Sequence, residues 1–455
     1  MSIFVPAALI TPEAEKVILD ELYVEKKLSG FIAHKYKFVK SDKIFPYQLV
    51  PNPNQGIPLG INLPFRWAID NIPGAGRKPS DSLDPLSQPY KFTRELRPIQ
   101  QEVKGGIISS LNTWGCHLLS LYPGAGKTNL AIYLASRVKL KTLIICDTII
   151  LLNQWKEAIE GCLSPKPSVS IVKQPPKNNE KALKKFKDSL ESDFLLIYVE
   201  NIAVIGRDAF SKVGFVIIDE IHKILAENLS TCLFHLSPRF LLGLSATPTR
   251  PDGLDKLLDF YFGTLPETRT LKELYHPHIV YHIPLPFDYS DIPSTDWTRL
   301  ITAQCNSVER NTIICETLCK FLTENPLRNV LVLSKRIEQV EWLEGALSTL
   351  GFRTSSLAGS KNTYDPEAQI ILGITSKVGT GFSCDKLDTL VIASDLISSD
   401  TSGYMIQYLA RVMRTKEVKP IVFEFVDDHK VLKKHFGIRK GQYTKHGGII
   451  KKLKL

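Results

Sequence analysis

Residues 116–138 constrain the fold more than any other stretch. An apolar run from Cys116 to Leu121 ends in Tyr122-Pro123-Gly124-Ala125-Gly126. Lys127 and Thr128 then open a segment in which Leu130, Ala131, Leu134, Ala135 and Val138 recur with helical spacing. The loop therefore delivers a helix N-terminus, where backbone N–H groups without intrahelical partners and the helix dipole together favour an anion. Gly124 and Gly126 let the backbone close around it, within a loop completed by Tyr122, Pro123 and Ala125. Lys127 is placed to reach terminal phosphates, and the Thr128 hydroxyl to ligate a magnesium ion. The strict phosphate-loop pattern wants glycine where Leu121 stands, a departure in the letters rather than in the mechanism. A Gly-Lys-Thr turn also opens ordinary helices, so the reading depends on the rest of the chain.

The rest repeats the theme. Apolar strand candidates at 117–121, 142–146, 194–198, 215–218 and 241–245 alternate with helical segments, and a second block follows at 329–333, 369–375, 389–393 and 421–426. Near-continuous apolar strands separated by helices predict parallel sheets covered on both faces, with ligands beyond the strand C-termini. The expected fold class is α/β, with two tandem sheets of this kind. At 455 residues the chain is long enough for two or three domains. Their expected limits are an N-terminal accessory domain at 1–88, a first α/β domain at 89–268 and a second at 269–455 with a basic tail from about 429. The Pro- and turn-rich stretch 265–300 reads as a connector, and the Lys- and Pro-rich excursion between Cys162 and Ser192 as a solvated helix and loop that could also touch nucleic acid.

Composition excludes several classes. Charged residues at 23% and hydrophobic ones at 44% are globular values. No run of 18 apolar residues occurs and Met1 to Ile10 lacks a basic lead, so neither membrane spanning nor secretion is expected. Eight scattered cysteines without metal-ligand pairs fit buried thiols in a reducing, intracellular compartment. Lys and Arg outnumber Asp and Glu by 57 to 47, a balance that suits a polyanionic partner. The excess is concentrated after Asp428, where no acidic residue follows; this stretch reads as a sequence-independent phosphate-binding segment, a localisation signal or a disordered tail.

Asp219-Glu220-Ile221-His222 leaves the apolar run 214–218. Two acids at the end of a buried strand are costly unless a cation or a solvated cleft receives them. A magnesium ion held by Asp219, partly through water, and a water activated by Glu220 account for both. Acids complementing a helix dipole remain the alternative at this point. Transfer of a phosphoryl group also needs positive charge beyond Lys127, and Gln407-Tyr408-Leu409-Ala410-Arg411-Val412-Met413-Arg414 offers Arg411 and Arg414, which at i and i+3 lie on one helix face; a solvated basic face is the alternative.

Together these motifs resemble the superfamily-two helicases of the XPB/UvsW-like branch, which includes helicases of large cytoplasmic DNA viruses. Arg97 and Gln100 resemble the Q motif, whose Gln reads adenine; 219–222 resembles the DEAH-type Walker B; Ser245-Ala246-Thr247-Pro248 resembles motif III. Residues 375–385 resemble motif V and 407–414 motif VI, all in the right order across about 89–428. The resemblance implies two RecA-like domains with ATP and Mg2+ between them, Lys127, Asp219, Glu220, Arg411 and Arg414 as catalytic residues, and Arg411 and Arg414 reaching the γ-phosphate only on closure. It assigns coupling roles to His222, Ser245, Ala246, Thr247 and Gln407, and places Thr375 and Gly381 near the ATP cleft or the nucleic-acid backbone. Ser383 stands where many relatives have Asp, and Ala410 where they have Gly.

The function expected is an ATP-dependent DNA helicase or double-strand translocase, with DNA favoured over RNA by branch and with transcription or replication proteins as possible partners. Two rivals are an RNA helicase or transcript-release factor at an RNA polymerase, and a non-hydrolysing helicase-like scaffold.

Overall fold

The computed structural model describes residues 1–25, 43–52, 58–176, 179–225, 230–246, 253–293, 295–361, 363–379, 384–396, 401–414 and 418–453. The chain divides into two compact units, one of Met1–Leu121 with Ala125–Lys272, the other of Glu273–Leu455 with Tyr122–Gly124.

The first unit begins with β1 (Ser2–Pro6), helix α1 (Pro12–Glu21), β2 (Gln48–Val50) and β3 (Gly60–Pro64). The strands form an antiparallel sheet in the order β1-β3-β2. Thr11 caps α1, accepting from the Ala14 N–H, with Pro12 fitting the first helical position. This layer does not keep a separate core. Met1, Ile3, Leu63 and Phe65 are buried in one cluster with Cys116, Leu118, Leu143 and Leu241, and the Ser2 N–H and hydroxyl donate to Leu236 O and Phe234 O.

Seven strands make the main sheet of this unit: β4 (Cys116–Leu121), β5 (Thr142–Cys146), β6 (Val169–Val172), β7 (Phe194–Tyr198), β8 (Phe215–Ile218), β9 (Phe240–Ser245) and β10 (Arg269–Lys272). All pairs are parallel and the order is β6-β7-β5-β8-β9-β4-β10. Strands β4, β5 and β8 are buried along their whole length, as apolar runs without alternation require. Helix α2 (Pro98–Trp114) precedes β4 and stops at Gly115, φ 77°; α3 (Lys127–Val138) follows it. Helix α4 (Glu180–Leu190) has no buried residue, as its Lys-rich sequence predicts.

The second unit repeats the plan with β11 (His278–Leu285), β12 (Val330–Ser334), β13 (Thr354–Leu357), β14 (Ile370–Ile374), β15 (Thr389–Ile392), β16 (Ile421–Asp427) and β17 (Gly448–Lys452). These are parallel in the order β13-β14-β12-β15-β16-β11-β17. Helices α5 (Thr401–Val412) and α6 (Lys430–Lys445) belong here. The chain is thus an α/β protein with two tandem RecA-like sheets and an N-terminal addition.

Two expectations are corrected. The stretch 265–300 is not simply a connector: it supplies β10 to the first sheet and β11, between β16 and β17, to the second. Its prolines lie outside these strands, apart from Pro284 near the end of β11. The basic tail is also a folded element. Arg439 is buried with Nε 2.8 Å from Glu424 Oε1 and Nη1 2.5 Å from Asp395 Oδ1; Tyr443 donates to Glu424 at 2.5 Å, and His435 lies 2.6 Å from Asp395 Oδ2. This buried network pins α6 against β16, and β17 then adds the edge strand.

Candidate functional site

In the first unit the sequence motifs meet at the C-terminal ends of β4, β8 and β9. Gly124 and Gly126 adopt φ 84° and 88°, the left-handed region that glycine enters without penalty. Gly126 is the N-cap of α3, and a Cβ built on it would lie 2.3 Å from Gln100 Nε2. Gln100 is buried and spans two segments, its Oε1 accepting from the Arg97 N–H at 2.7 Å and its Nε2 donating to Gly126 O at 2.8 Å. The start of α2 and the loop are thereby tied together. The Lys127 ammonium donates to Leu121 O at 2.9 Å, folding back over the loop, and Thr128 is half-buried at the first turn of α3.

Asp219 is buried just beyond β8. Burial, and after it the charge of Glu220, push its carboxyl up to about 6, against the indole N–H of Trp155 at 2.8 Å and the nearby Lys127 charge, which favour the carboxylate. Glu220 has φ 46°, a left-handed conformation that costs a non-glycine residue about 1–2 kcal/mol and that recurs at functional sites. Its Oε2 is buried with no hydrogen-bond partner among the described residues and lies 3.4 Å from His222 Nδ1. His222 Nδ1 is 2.9 Å from the Ser245 hydroxyl, which is buried at the end of β9. Ala246 follows, half-buried; Thr247 lies outside the described residues.

An unsatisfied carboxylate oxygen beside a buried acid, an ammonium and a glycine-floored helix N-terminus forms a donor set that fits a nucleotide's phosphates and a divalent cation. Two residues that sequence motifs do not single out complete it. Trp155 holds Asp219 from a helix whose Leu152, Trp155 and Ile159 read as ordinary core. Asp147, directly after β5, pairs with Lys223 at 3.3 Å; an acid at the end of a buried strand is the same signal that picks out Asp219.

In the second unit Gln407 and Arg411 lie on α5, and Tyr408 donates to the Thr375 carbonyl at 3.0 Å, joining the motif that resembles VI to the one that resembles V. The side-chain oxygen of Gln407 is buried without a hydrogen-bond partner among the described residues. The expected shared helix face of Arg411 and Arg414 is not formed, because α5 ends at Val412 and Arg414 stands beyond it. Arg414 Nη1 donates instead to the exposed Asp385 at 2.6 Å. Gly381 lies outside the described residues.

Residues 93–250 match the family model of the type III restriction enzyme res subunit. "Putative helicase 161L" of Invertebrate iridescent virus 6 is 34% identical over 390 residues, 80% of this chain and 84% of that protein. The chain belongs to the superfamily-two helicases of the XPB/UvsW-like type. Within this family the helicase is also similar to the "Putative ATP-dependent RNA helicase L396" of Acanthamoeba polyphaga mimivirus, 26% identical over 93% of this chain and 85% of that one. The "DNA 3'-5' translocase XPB2" of Sulfurisphaera tokodaii is 29% identical over 34% of this chain and 33% of that one. The helicase is therefore an ATP-binding, nucleic-acid-dependent enzyme of the kind found in large DNA viruses. No helix among its described residues is long and apolar enough to cross a membrane.

Proposed function

We propose that this helicase couples hydrolysis of Mg2+-bound ATP to strand separation or to movement along duplex DNA. The observation that carries the hydrolytic part is the grouping of Lys127, buried Asp219 and the left-handed Glu220 beyond the C-terminal ends of β4 and β8. The bound nucleotide and its cation would supply an electrophilic phosphorus and charge neutralisation there. The backbone of 124–128 and Lys127 bind the phosphates, Thr128 and Asp219 hold the cation, and Glu220 orients and deprotonates water. Arg97 and Gln100 fix the loop beside the base. Arg411 and Arg414 add positive charge at the transferred group; Arg414 must exchange Asp385 for it. His222, Ser245, Ala246, Thr247 and Gln407 link hydrolysis to the nucleic-acid face, the His222–Ser245 contact being the first step. Thr375 and Gly381 serve the cleft or the backbone. The proposed domains are the expected ones with their boundary moved to 272/273, because β10 pairs with β4: 89–272 and 273–455, with 1–88 as an accessory layer.

DNA is favoured by the XPB-type relationship. RNA is the second reading, favoured by the mimivirus relative that is named for RNA and aligns along most of the chain. ATP turnover measured with duplex, forked and single-stranded DNA and with RNA separates them. Stimulation by duplex or forked DNA well above that by RNA is expected; the reverse order overturns the DNA assignment. Turnover absent on every substrate revives the non-hydrolysing scaffold.

A further inference from the structure

The motifs do not use α6 or β17, yet these elements gather the chain's unbalanced charge. Lys430, Lys433, Lys434, Lys440 and Lys445 are exposed on α6, and Lys451 and Lys452 on β17. At about 100° per residue, Lys430, Gly437 and Gly441 run along the middle of the exposed arc, Lys433 and Lys440 along one side, and Lys434 and Lys445 along the other. Exposed glycines inside a helix weaken it relative to alanine, and here they serve no internal packing: a Cβ at either position meets nothing within 4 Å. At Gly437 and Gly441 the face is bare helix backbone, flanked by two rows of ammonium groups.

The charges are barely compensated. Lys433 pairs with Asp428, and Lys445 with Glu273 at 2.8 Å, but all four side chains are more than half exposed, and such pairs exchange easily. Lys430, Lys434, Lys440, Lys451 and Lys452 have no carboxylate partner among the described residues. Like charges even converge. His282 of β11, stacked on Phe436 at 4.3 Å between ring centroids, is held below its ordinary pKa by burial and then by Lys452 and Lys440, which therefore flank one imidazole from two elements. Lysines on an edge strand also discourage strand pairing, but that purpose explains neither the two glycines nor the rows on α6.

We propose that the α6 face, extended by β17, is a docking surface for the sugar–phosphate backbone of a nucleic-acid duplex, separate from the helicase motifs. The occupant follows from what is present and what is lacking. Sixteen residues of α6 give a straight face of about 24 Å, matched to a stiff polyanion carrying one charge per ~1.7 Å of axis. Single strands are usually held by stacking on exposed aromatics, and the aromatic residues of α6, Phe436 and Tyr443, are buried.

The inference rests on the nucleic-acid reading of the family, so the test keeps the two apart. Binding of full-length protein to a fluorescent DNA duplex is measured against salt, beside duplex-stimulated ATP turnover, for the parent and for a Lys434→Gln/Lys440→Gln/Lys452→Gln variant. Each phosphate left without its ammonium lowers the slope of log affinity against log salt by about 0.9. The variant should lose about 2–3 from the slope and bind at least tenfold more weakly at about 0.1 M salt. A parent that is stimulated by duplex while the variant keeps the parental slope overturns the docking surface; a parent that no nucleic acid stimulates overturns the helicase reading instead. A Gly437→Ala/Gly441→Ala variant should fold more stably yet bind duplex at least threefold more weakly, and unchanged affinity contradicts docking against the bare backbone. Equal retention on anionic vesicles and loss of duplex selectivity would assign the face to a membrane surface and overturn the proposal.

Discussion

At Gly126 a side chain is excluded twice, by φ 88° and by Gln100 Nε2 at 2.3 Å from any Cβ. Gly126→Ala costs about 1–2 kcal/mol in backbone strain and displaces Gln100 from the loop. Nucleotide affinity by calorimetry is expected to fall at least tenfold while the circular dichroism spectrum stays folded. His117 of β4 gives a prediction in pH. It is 1% exposed, with Nε2 2.9 Å from the Thr270 hydroxyl, and burial pushes its imidazole down to about 4. The folded form prefers the neutral ring, so the unfolded chain binds the proton more tightly; stability is full above the unfolded value of about 6.5 and is lost as pH falls toward 4. Over that fall the parent should lose roughly 3 kcal/mol more than His117→Gln in chemical denaturation, and parallel curves would refute the assignment. The loop glycines, Lys127, Asp219 and Glu220 are legible in the sequence because phosphate chemistry imposes local spacing. Trp155 and Asp385 are not, since each reaches its partner across 64 and 29 positions in the chain.

Among the elements, legibility follows burial pattern. Strands β5, β7 and β8 can be read from sequence with their observed limits because both faces are buried and, Thr142 apart, the runs are apolar or aromatic. Strand β11 cannot: Tyr281, His282 and Pro284 interrupt its apolar residues, and only pairing with β16 and β17 makes it a central strand. Helix α6 is hidden by a core face built from Leu432, His435, Phe436, Arg439 and Tyr443 instead of aliphatic residues. That face is held by charge. Arg439 is 2% exposed between Glu424 and Asp395, at 0% and 4%, so Arg439→Met strands two buried carboxylates and should cost about 3–5 kcal/mol. Denaturation of the purified variant reads this directly; a loss below about 1 kcal/mol would mean that the network is hydrated and exchangeable.

For the whole molecule, the order of motifs conveys two sheets, and the family relationship agrees along most of the chain. The N-terminal layer is legible only as a change of texture, since the core it shares with β4 and β5 is formed by residues far apart in sequence. In the proposed mechanism the acids after β8 hydrolyse ATP on the phosphate loop, with Glu220 activating water. Single-turnover hydrolysis by Glu220→Gln, beside its nucleotide affinity and with duplex DNA present, tests this most directly. Affinity within a few-fold of the parent and hydrolysis slower by about 10²-fold or more are expected; hydrolysis at the parental rate would remove Glu220 from the reaction.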